Sequence, residues 1–448
     1  MRSMAFLTFR GGIHPYDGKD LSKNCPVEKY LPKGDLAILV SQHIGAPAKP
    51  IVKKGDHVLA GQKIAEAGGF VSAPIHSSVS GTVKGIEKRL TAVGAMGDAI
   101  IIENDGLYES VEYTPAKLSD LSKEDILKRI QEGGVVGQGG AGFPTHVKLS
   151  PKEPDKIDHI LVNGAECEPY ITSDYRRMME EPESVVGGLE VILKAFPKAV
   201  GCICIEDNKP EGIAKLQELV EGEANIEVQP LKTKYPQGAE RMLIYAVTGE
   251  TINSSMLPAD AGCVVNNCDT IHAVYEAVHF GRPVMKKVMT ITGNAIKEPQ
   301  NLSVRTGTNF RELIEEAGGF ISEPEKIIAG GPMMGIPLIS LDVPVVKTSS
   351  AILCMTKDEV AACEETACIN CGRCVSVCPG RIIPARLADY AKRHDKEAFE
   401  KANGMECCEC GCCSYICPAK RPLTQYIKSM RKIVLADRKK AAQRGNGK

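Results

Sequence analysis

The chain has 448 residues, a formal net charge of −1 and 43% hydrophobic residues, enough for about three domains with sizeable cores. The near-zero charge gives no footing for nucleic acid, and no apolar run approaches the roughly 18–20 residues that span a bilayer. The longest candidate, 327–346, is interrupted by Pro332, Pro337, Pro344 and Asp342. Eighteen cysteines in so long a chain, with no recognisable leader, point to a reducing compartment rather than a disulfide scaffold.

Residues 1–30 form an arm, with Phe9-Arg10-Gly11-Gly12-Ile13-His14-Pro15 too short and polar to build a core alone. From 31 to 105, short strands are expected at 37–40, 51–52, 57–58, 63–65, 81–86 and 99–102, separated by Gly and Pro turns. Lys54-Gly55-Asp56, Gly61-Gln62 and Ser80-Gly81-Thr82-Val83 resemble the barrel-sandwich domains of biotinyl and lipoyl carriers. Those carriers present a modifiable lysine on a hairpin, and none lies between Glu66 and Ser80. The segment therefore reads as a scaffold.

A third region, 118–286, alternates helices and strands. Ser122-Lys123-Glu124-Asp125 has the form of a capping box, and Gly133-Gly134 ends the helix it opens. Gly137-Gln138-Gly139-Gly140-Ala141-Gly142-Phe143 then matches G-x-G-x-x-G, but it follows a helix where the dinucleotide motif should follow a strand. Such a loop either brings backbone N–H groups close to a phosphate or flat ring, with Lys148 as countercharge, or is a plain turn. Strands at 159–163, 199–205 and 226–231 alternate with helices at 183–196, 211–220 and 238–247, which implies a mainly parallel sheet covered on both faces. Glu166 and Glu168 follow the first of these strands, at the sheet end where such folds bind ligands. They read either as acceptors for nucleotide hydroxyl or amide groups or as a solvated loop.

At 287–350 a strand, a turn and a helix over 309–317 suggest a small β-grasp unit closed by the turn 330–335, with Met333 and Met334 as packing. The segment 355–435 carries the strongest signal. Cys368, Cys371, Cys374 and Cys378-Pro379 recur 39 positions later (368 to 407) as Cys407, Cys410, Cys413 and Cys417-Pro418. This C-x2-C-x2-C-x3-C-P run ligates [4Fe–4S] clusters, the fourth cysteine of each run serving the other cluster. One set is then Cys368, Cys371, Cys374 and Cys417, the other Cys407, Cys410, Cys413 and Cys378. Zinc sites use separated C-x2-C pairs instead. Cys408 and Cys412 leave local ligand exchange open. A helix is expected over 384–402 and another from Pro422, with Leu423, Ile427, Met430 and Val434 on one face, before a basic tail at 436–448.

Together these marks resemble the RnfC family of the Rnf electron-transport complex over nearly the whole chain. They are the arm motif, Ser41-Gln42-His43-Ile44-Gly45-Ala46-Pro47, the glycine string through Thr145, Asn163-Gly164-Ala165-Glu166-Cys167-Glu168-Pro169 and the doubled cysteine run. The middle also resembles the FMN- and NADH-binding flavoprotein subunit of respiratory NADH dehydrogenases. Gln138 and Ala165 replace an arginine and an aspartate of that pattern. The resemblance implies a multidomain α/β protein. Its parts are an N-terminal β barrel-sandwich hybrid, a central Rossmann-like flavin and nucleotide domain, a β-grasp (SLBB-like) domain and a C-terminal α-helical two-[4Fe–4S] ferredoxin-type domain. It places FMN near Gly137, Gly139, Gly142, Lys148, Asn163, Asn266 and Asn267, and NAD(H) near Gly140, Phe143, Glu166, Glu168 and Glu240. No side chain is expected to be catalytic, because FMN takes the hydride. Implied partners are other Rnf subunits, among them membrane subunits and a ferredoxin-like iron–sulfur subunit, with ferredoxin reached indirectly and Na+ or H+ moved by the complex. Location is implied at the cytoplasmic face of the membrane. A cobalamin reductase of bacterial microcompartments and a non-catalytic iron–sulfur conduit are the alternatives.

Overall fold

The computed structural model describes residues 7–445. Residues 31–105 fold as expected into two facing sheets. Strands β2 (Leu36–Leu39), β8 (Met96–Asn104), β7 (Gly81–Leu90) and β4 (His57–Val58) form one, and β3 (Lys49–Pro50), β5 (Lys63–Glu66) and β6 (Ile75–His76) the other. Leu36, Ile38, Ile64, Ile75, Ile100 and Ile102 are fully buried between them. The strand expected at 51–52 is instead the neighbouring β3, because the Pro50 side of that segment pairs with Ala65.

The arm is not separate. Its end, β1 (Val27–Lys29), pairs with β14 (Gln300–Arg305) and becomes the edge of the β-grasp sheet. That sheet runs β1-β14-β13-β17-β15-β16, with β13 (Lys286–Thr292), β15 (Lys326–Ala329), β16 (Ile336–Pro337) and β17 (Ala351–Met355). The boundary expected at 350 falls one residue before β17, which pairs with both β13 and β15. The turn at 330–335 joins β15 to β16 inside the unit rather than closing it. Helix α8 (Phe310–Glu316) packs on this sheet through Phe310, Leu313 and Ile314.

Helix α1 (Lys123–Glu132) carries the expected box: the Ser122 hydroxyl accepts from Asp125 N–H and the Asp125 carboxylate accepts from Ser122 N–H. After the four-residue α2 (Thr145–Lys148) come β9 (His159–Gly164), α3 (Ser173–Glu180), α4 (Pro182–Ala195), β10 (Val200–Glu206), α5 (Pro210–Leu219), β11 (Ile226–Leu231), α6 (Glu240–Thr248), β12 (Cys263–Asn267) and α7 (Cys268–Phe280). All pairs in the order β11-β10-β9-β12 are parallel. Ile160, Val162, Ile203 and Ile205 face α1, α4 and α7, while Leu161, Cys202 and Cys204 face α6, the strict two-residue alternation of a doubly covered sheet. Successive strands add on one side of β9 until β12 joins its other edge. The order therefore reverses between β9 and β12, where open α/β sheets leave a crevice at the carboxyl ends of their strands.

In the cysteine region short helices α9 (Arg373–Ser376) and α12 (Cys412–Tyr415) sit at equivalent points of the repeat. The expected helix 384–402 is two, α10 (Pro384–Lys392) and α11 (Lys396–Lys401). Left-handed His394 breaks it, and Asp395 caps the second by accepting from Ala398 N–H. The last helix, α13 (Leu423–Gly445), continues through the segment expected as a basic tail. Asp437 and Arg438 pair with Lys396 and Glu400, which ties that extension to α11; residues 446–448 lie outside the described part. Among the described residues no helix is long and apolar enough to cross a membrane.

Candidate functional site

The crevice is floored by strand ends. Asn163 is the penultimate residue of β9 and Asn266 and Asn267 close β12, paired as Val162 with Asn266 and Asn163 with Asn267. The glycine loop folds back on itself as a narrow hairpin: Val136 bridges Pro144 and Gly137 N–H donates to the Phe143 carbonyl at 2.9 Å. Gln138 N–H donates to Thr270 Oγ1 at 2.9 Å, laying the loop on the start of α7. Gly139 is pressed so closely that a Cβ there would stand 2.7 Å from the Asn267 side chain, whereas one on Gly140 would meet nothing within 4 Å. Gly139, Gly140 and Ala141 are exposed.

The polar atoms around this loop divide into committed and uncommitted ones. Asn163 Nδ2 donates to the Gly238 carbonyl at 2.8 Å, and Asn267 caps α7 while donating to Asp174 at 2.6 Å. Lys148 Nζ donates to the Val265 carbonyl and pairs with Glu240 at 3.0 Å. By contrast Gln138 Oε1, Asn266 Nδ2, Thr145 Oγ1 and His146 Nδ1 are buried with no protein partner among the described residues. Buried polar groups normally find one. A bare glycine edge beside unpaired amide and hydroxyl groups fits a flat ligand that has its own donors and acceptors.

Glu166 and Glu168, expected either as nucleotide acceptors or as a solvated loop, both have protein partners. Glu166, in the left-handed region at φ 46°, accepts from Asp174 N–H at 2.6 Å and Tyr175 N–H at 3.3 Å. It thereby satisfies donors at the start of α3, with Lys19 Nζ at 3.9 Å. Burial pushes its carboxyl up, against the pull of Lys19 and Lys209. Burial and the Glu166 charge together raise Asp174 to about 7. Glu168 Oε1 accepts from Met333 N–H at 2.7 Å and Met334 N–H at 3.0 Å, linking this loop to the β15–β16 turn. Nothing local in the sequence marks Lys19, Lys209 or Asp174 as members of this network. They meet only when the arm and the helix starts converge on the sheet end.

The barrel-sandwich domain grips both ends of the glycine loop. Ile44 N–H donates to the Gly142 carbonyl at 3.3 Å, and a Cβ on Gly142 would lie 3.1 Å from the Gln42 carbonyl. Lys347, 1% exposed, donates to the Gly134 carbonyl at 2.7 Å and the Pro74 carbonyl at 2.9 Å. Burial lowers Lys347 to about 7, and two carbonyls are what the two N–H groups of a neutral amine can satisfy.

The two cysteine runs repeat at the level of the backbone. Asn370, Gly372 and Arg381 have left-handed φ of 56°, 73° and 54°; their counterparts Glu409, Gly411 and Lys420 have 57°, 84° and 51°. Asn370 N–H points at Cys368 Sγ and Glu409 N–H at Cys407 Sγ, each at 3.4 Å. The Cys374 thiol lies in the field of Cys368, Cys417 and Cys371, and the Cys413 thiol in that of Cys407 and Cys378. Fourth cysteines thus sit with the opposite run. Cys378, Cys407, Cys410 and Cys413 border one small cavity, which Cys408 and Cys412 also line. Burial pushes Cys407 and Cys413 up to about 12 as thiols, a penalty that ligation to a cationic centre removes. Convergent sulfurs with backbone N–H groups aimed at them fit a cubane cluster. Among the described residues no three His, Cys, Asp or Glu side chains group tightly enough for a single metal ion. The halves differ in access: Cys368 and Cys371 are exposed, Cys410 and Cys413 buried.

Comparison with known proteins matches three stretches of the chain. Residues 7–107 match the RnfC barrel sandwich hybrid domain, 130–276 the Nuo51 FMN-binding domain and 288–337 the SLBB domain. The chain is 44% identical to the C subunit of the Na(+)-translocating ferredoxin:NAD(+) oxidoreductase complex of Acetobacterium woodii, covering 97% of this chain and 98% of that one. It is 46% identical to the proton-translocating counterpart of Clostridium ljungdahlii, over 95% and 93% of the two chains. With the corresponding protein of the ion-translocating oxidoreductase complex of Rhodobacter capsulatus it shares 38% identity over 93% and 81%.

Proposed function

The chain belongs to the family of C subunits of ion-translocating ferredoxin:NAD(+) oxidoreductase complexes, and from that premise we propose the electron path its own residues provide. It is an oxidoreductase subunit working with FMN, NAD(H) and iron–sulfur clusters, at the NAD end of the complex. When bound, FMN supplies two-electron hydride chemistry with NADH, and [4Fe–4S] clusters carry electrons singly.

The glycine edge 137–142 and the amide of Asn266 would hold the flavin, and Lys148, paired with Glu240 here, would supply positive charge for its phosphate. Gly140, Phe143 and Glu240 line the nucleotide side. Glu166 and Glu168 brace the wall behind them. The C-terminal region is a two-cluster ferredoxin-type domain. Of its two sets, the more buried (Cys378, Cys407, Cys410, Cys413) would hold the cluster nearer the crevice, and the more exposed (Cys368, Cys371, Cys374, Cys417) would hold the one accessible to a ferredoxin-like iron–sulfur subunit and the membrane subunits, with ferredoxin as the distant partner. The subunit sits peripherally at the cytoplasmic face. Relatives named for Na+ and for protons are almost equally similar to it, which supports a coupling ion chosen elsewhere in the complex.

The observation that carries this reading is the packing of the buried cysteine half against the sheet end that holds the glycine loop: Tyr235 hydroxyl donates to the Cys410 carbonyl at 2.8 Å. Protein purified without oxygen should contain one FMN and about eight irons and eight sulfides, and NADH should bleach the flavin band before the clusters reduce. Protein with clusters but no flavin would refute the NADH-oxidising role.

A further inference from the structure

The arm motif Phe9–Pro15 has no part in the crevice, yet it touches the cysteine domain closely. Residues 7–13 run beside the end of β11 and the chain after it. Leu7 bridges Leu231, Ile13 N–H donates to the Tyr235 carbonyl and Tyr235 N–H to the Ile13 carbonyl, both at 2.9 Å. Lys234 Nζ donates to the Phe9 carbonyl at 2.7 Å and sits over the Phe9 ring. Between these ties the arm bends at Gly11 and Gly12, with φ of 84° and 82°. The bend lets Gly12 N–H reach the Val377 carbonyl at 2.8 Å. A Cβ on Gly11 would stand 2.9 Å from that carbonyl and 3.0 Å from the carbonyl of Cys378.

Tyr235, 2% exposed, holds the other run through its bond to the Cys410 carbonyl, and the Cys412 thiol lies against its own carbonyl. Three residues on, Gly238 N–H donates to Cys167 Sγ at 3.2 Å and the Gly238 carbonyl accepts from Asn163 Nδ2. One short segment thus connects a strand end in the crevice to Cys410, while the arm strapped to it fixes Cys378.

Resting on the function proposed above, we infer that the Gly11–Gly12 bend and Tyr235 form a clamp that sets the buried cluster against the flavin crevice, with Tyr235 a positioning residue for electron transfer between them. At each transfer one electron leaves the reduced flavin and reduces one cluster. The clamp carries no electrons itself; it fixes the separation of the two centres and the hydrogen bonding beside the buried set, which bears on that cluster's potential. The clamp reaches both runs, since Cys378 and Cys410 come from different runs, and Glu406, next to Cys407, adds a second tie through Arg241 and Ser254. The exposed set needs no such tie, since it faces outward.

The test uses the full chain with flavin and clusters in place, comparing wild type with Tyr235→Phe and Gly12→Ala. Tyr235→Phe removes one hydroxyl from a buried bond, so exchange of the Gly12 and Ile13 amides should quicken about fivefold or more, with β9 amides unchanged. Stopped-flow mixing with NADH should show flavin reduction at the wild-type rate and slower cluster reduction. In a redox titration followed by electron paramagnetic resonance, the buried cluster's potential should shift and the exposed cluster's should not, the two signals being assigned with Cys371→Ser. Gly12→Ala should give the same pattern by a steric route. Wild-type cluster reduction with unaltered exchange in both variants overturns the inference, as does an equal shift of both clusters. Wild-type protein lacking flavin or clusters instead overturns the proposed function, whatever the amides of the arm show.

Discussion

Replacing Glu168 separates two roles for one carboxylate. Its Oε1 takes both turn N–H groups, at 2.7 and 3.0 Å, and burial raises the carboxyl even though both bonds favour its charge. Glutamine keeps an oxygen able to accept both bonds. It forfeits charge assistance, about 1 kcal/mol per bond, and regains part of that because a neutral amide is less costly to bury. Glu168→Gln should therefore lie within about 1 kcal/mol of wild type. Glu168→Ala loses both bonds and should cost about 2–4 kcal/mol, less than the gross sum because the Met334 N–H, on an exposed residue, can turn to water. Thermal unfolding, flavin content and NADH:acceptor kinetics on the two variants give the comparison. The expected pattern is near-normal KM for Glu168→Gln, and reduced stability with weakened flavin retention for Glu168→Ala. A tenfold or larger rise in KM for Glu168→Gln at unchanged stability, equivalent to about 1.4 kcal/mol of lost nucleotide binding, would refute the bracing role and return this carboxylate to the nucleotide.

Cys417→Ser should lower the count to about four irons and remove the resonance of the set containing Cys368, since the Cys374 thiol faces Cys417; loss of the other signal would mean that each run ligates its own cluster. Lys347 loses its proton near pH 7 in the folded chain but at about 10.5 when unfolded. Wild type should therefore gain stability over Lys347→Met as pH rises from 7 to 10.5, by at most about 1.4 kcal/mol per unit, and gain nothing below 7. Parallel stability curves for the two proteins across that window would show that the amine keeps its proton. Intact-mass measurement of the chain from its native host should find no biotin or lipoate on residues 31–105, whose hairpin is docked beside the glycine loop; an addition there would contradict the scaffold reading.

What the sequence settled was local chemistry. The spacing of eight cysteines made the doubled run legible, because two-residue gaps and a left-handed residue two positions after each first cysteine are short-range geometry that repeats wherever the spacing repeats. The Ser122 cap and the alternation of β9, β10 and β11 were legible for the same reason. Tertiary structure decided everything that depends on partners distant in the chain. The five-residue β12 is unmarked by its own composition and exists through pairing with β9, about a hundred residues earlier. Glu166 and Glu168 sit at the sheet end where a nucleotide contact was expected, and only the fold shows that the start of α3 donates to Glu166 and the β15–β16 turn to one oxygen of Glu168. The arm motif is too short and polar to build a core alone, and it is ordered by backbone hydrogen bonds to Tyr235 and Val377. A polar side chain or a free N–H group has many candidate partners, and only the packed chain determines which of them excludes water from it.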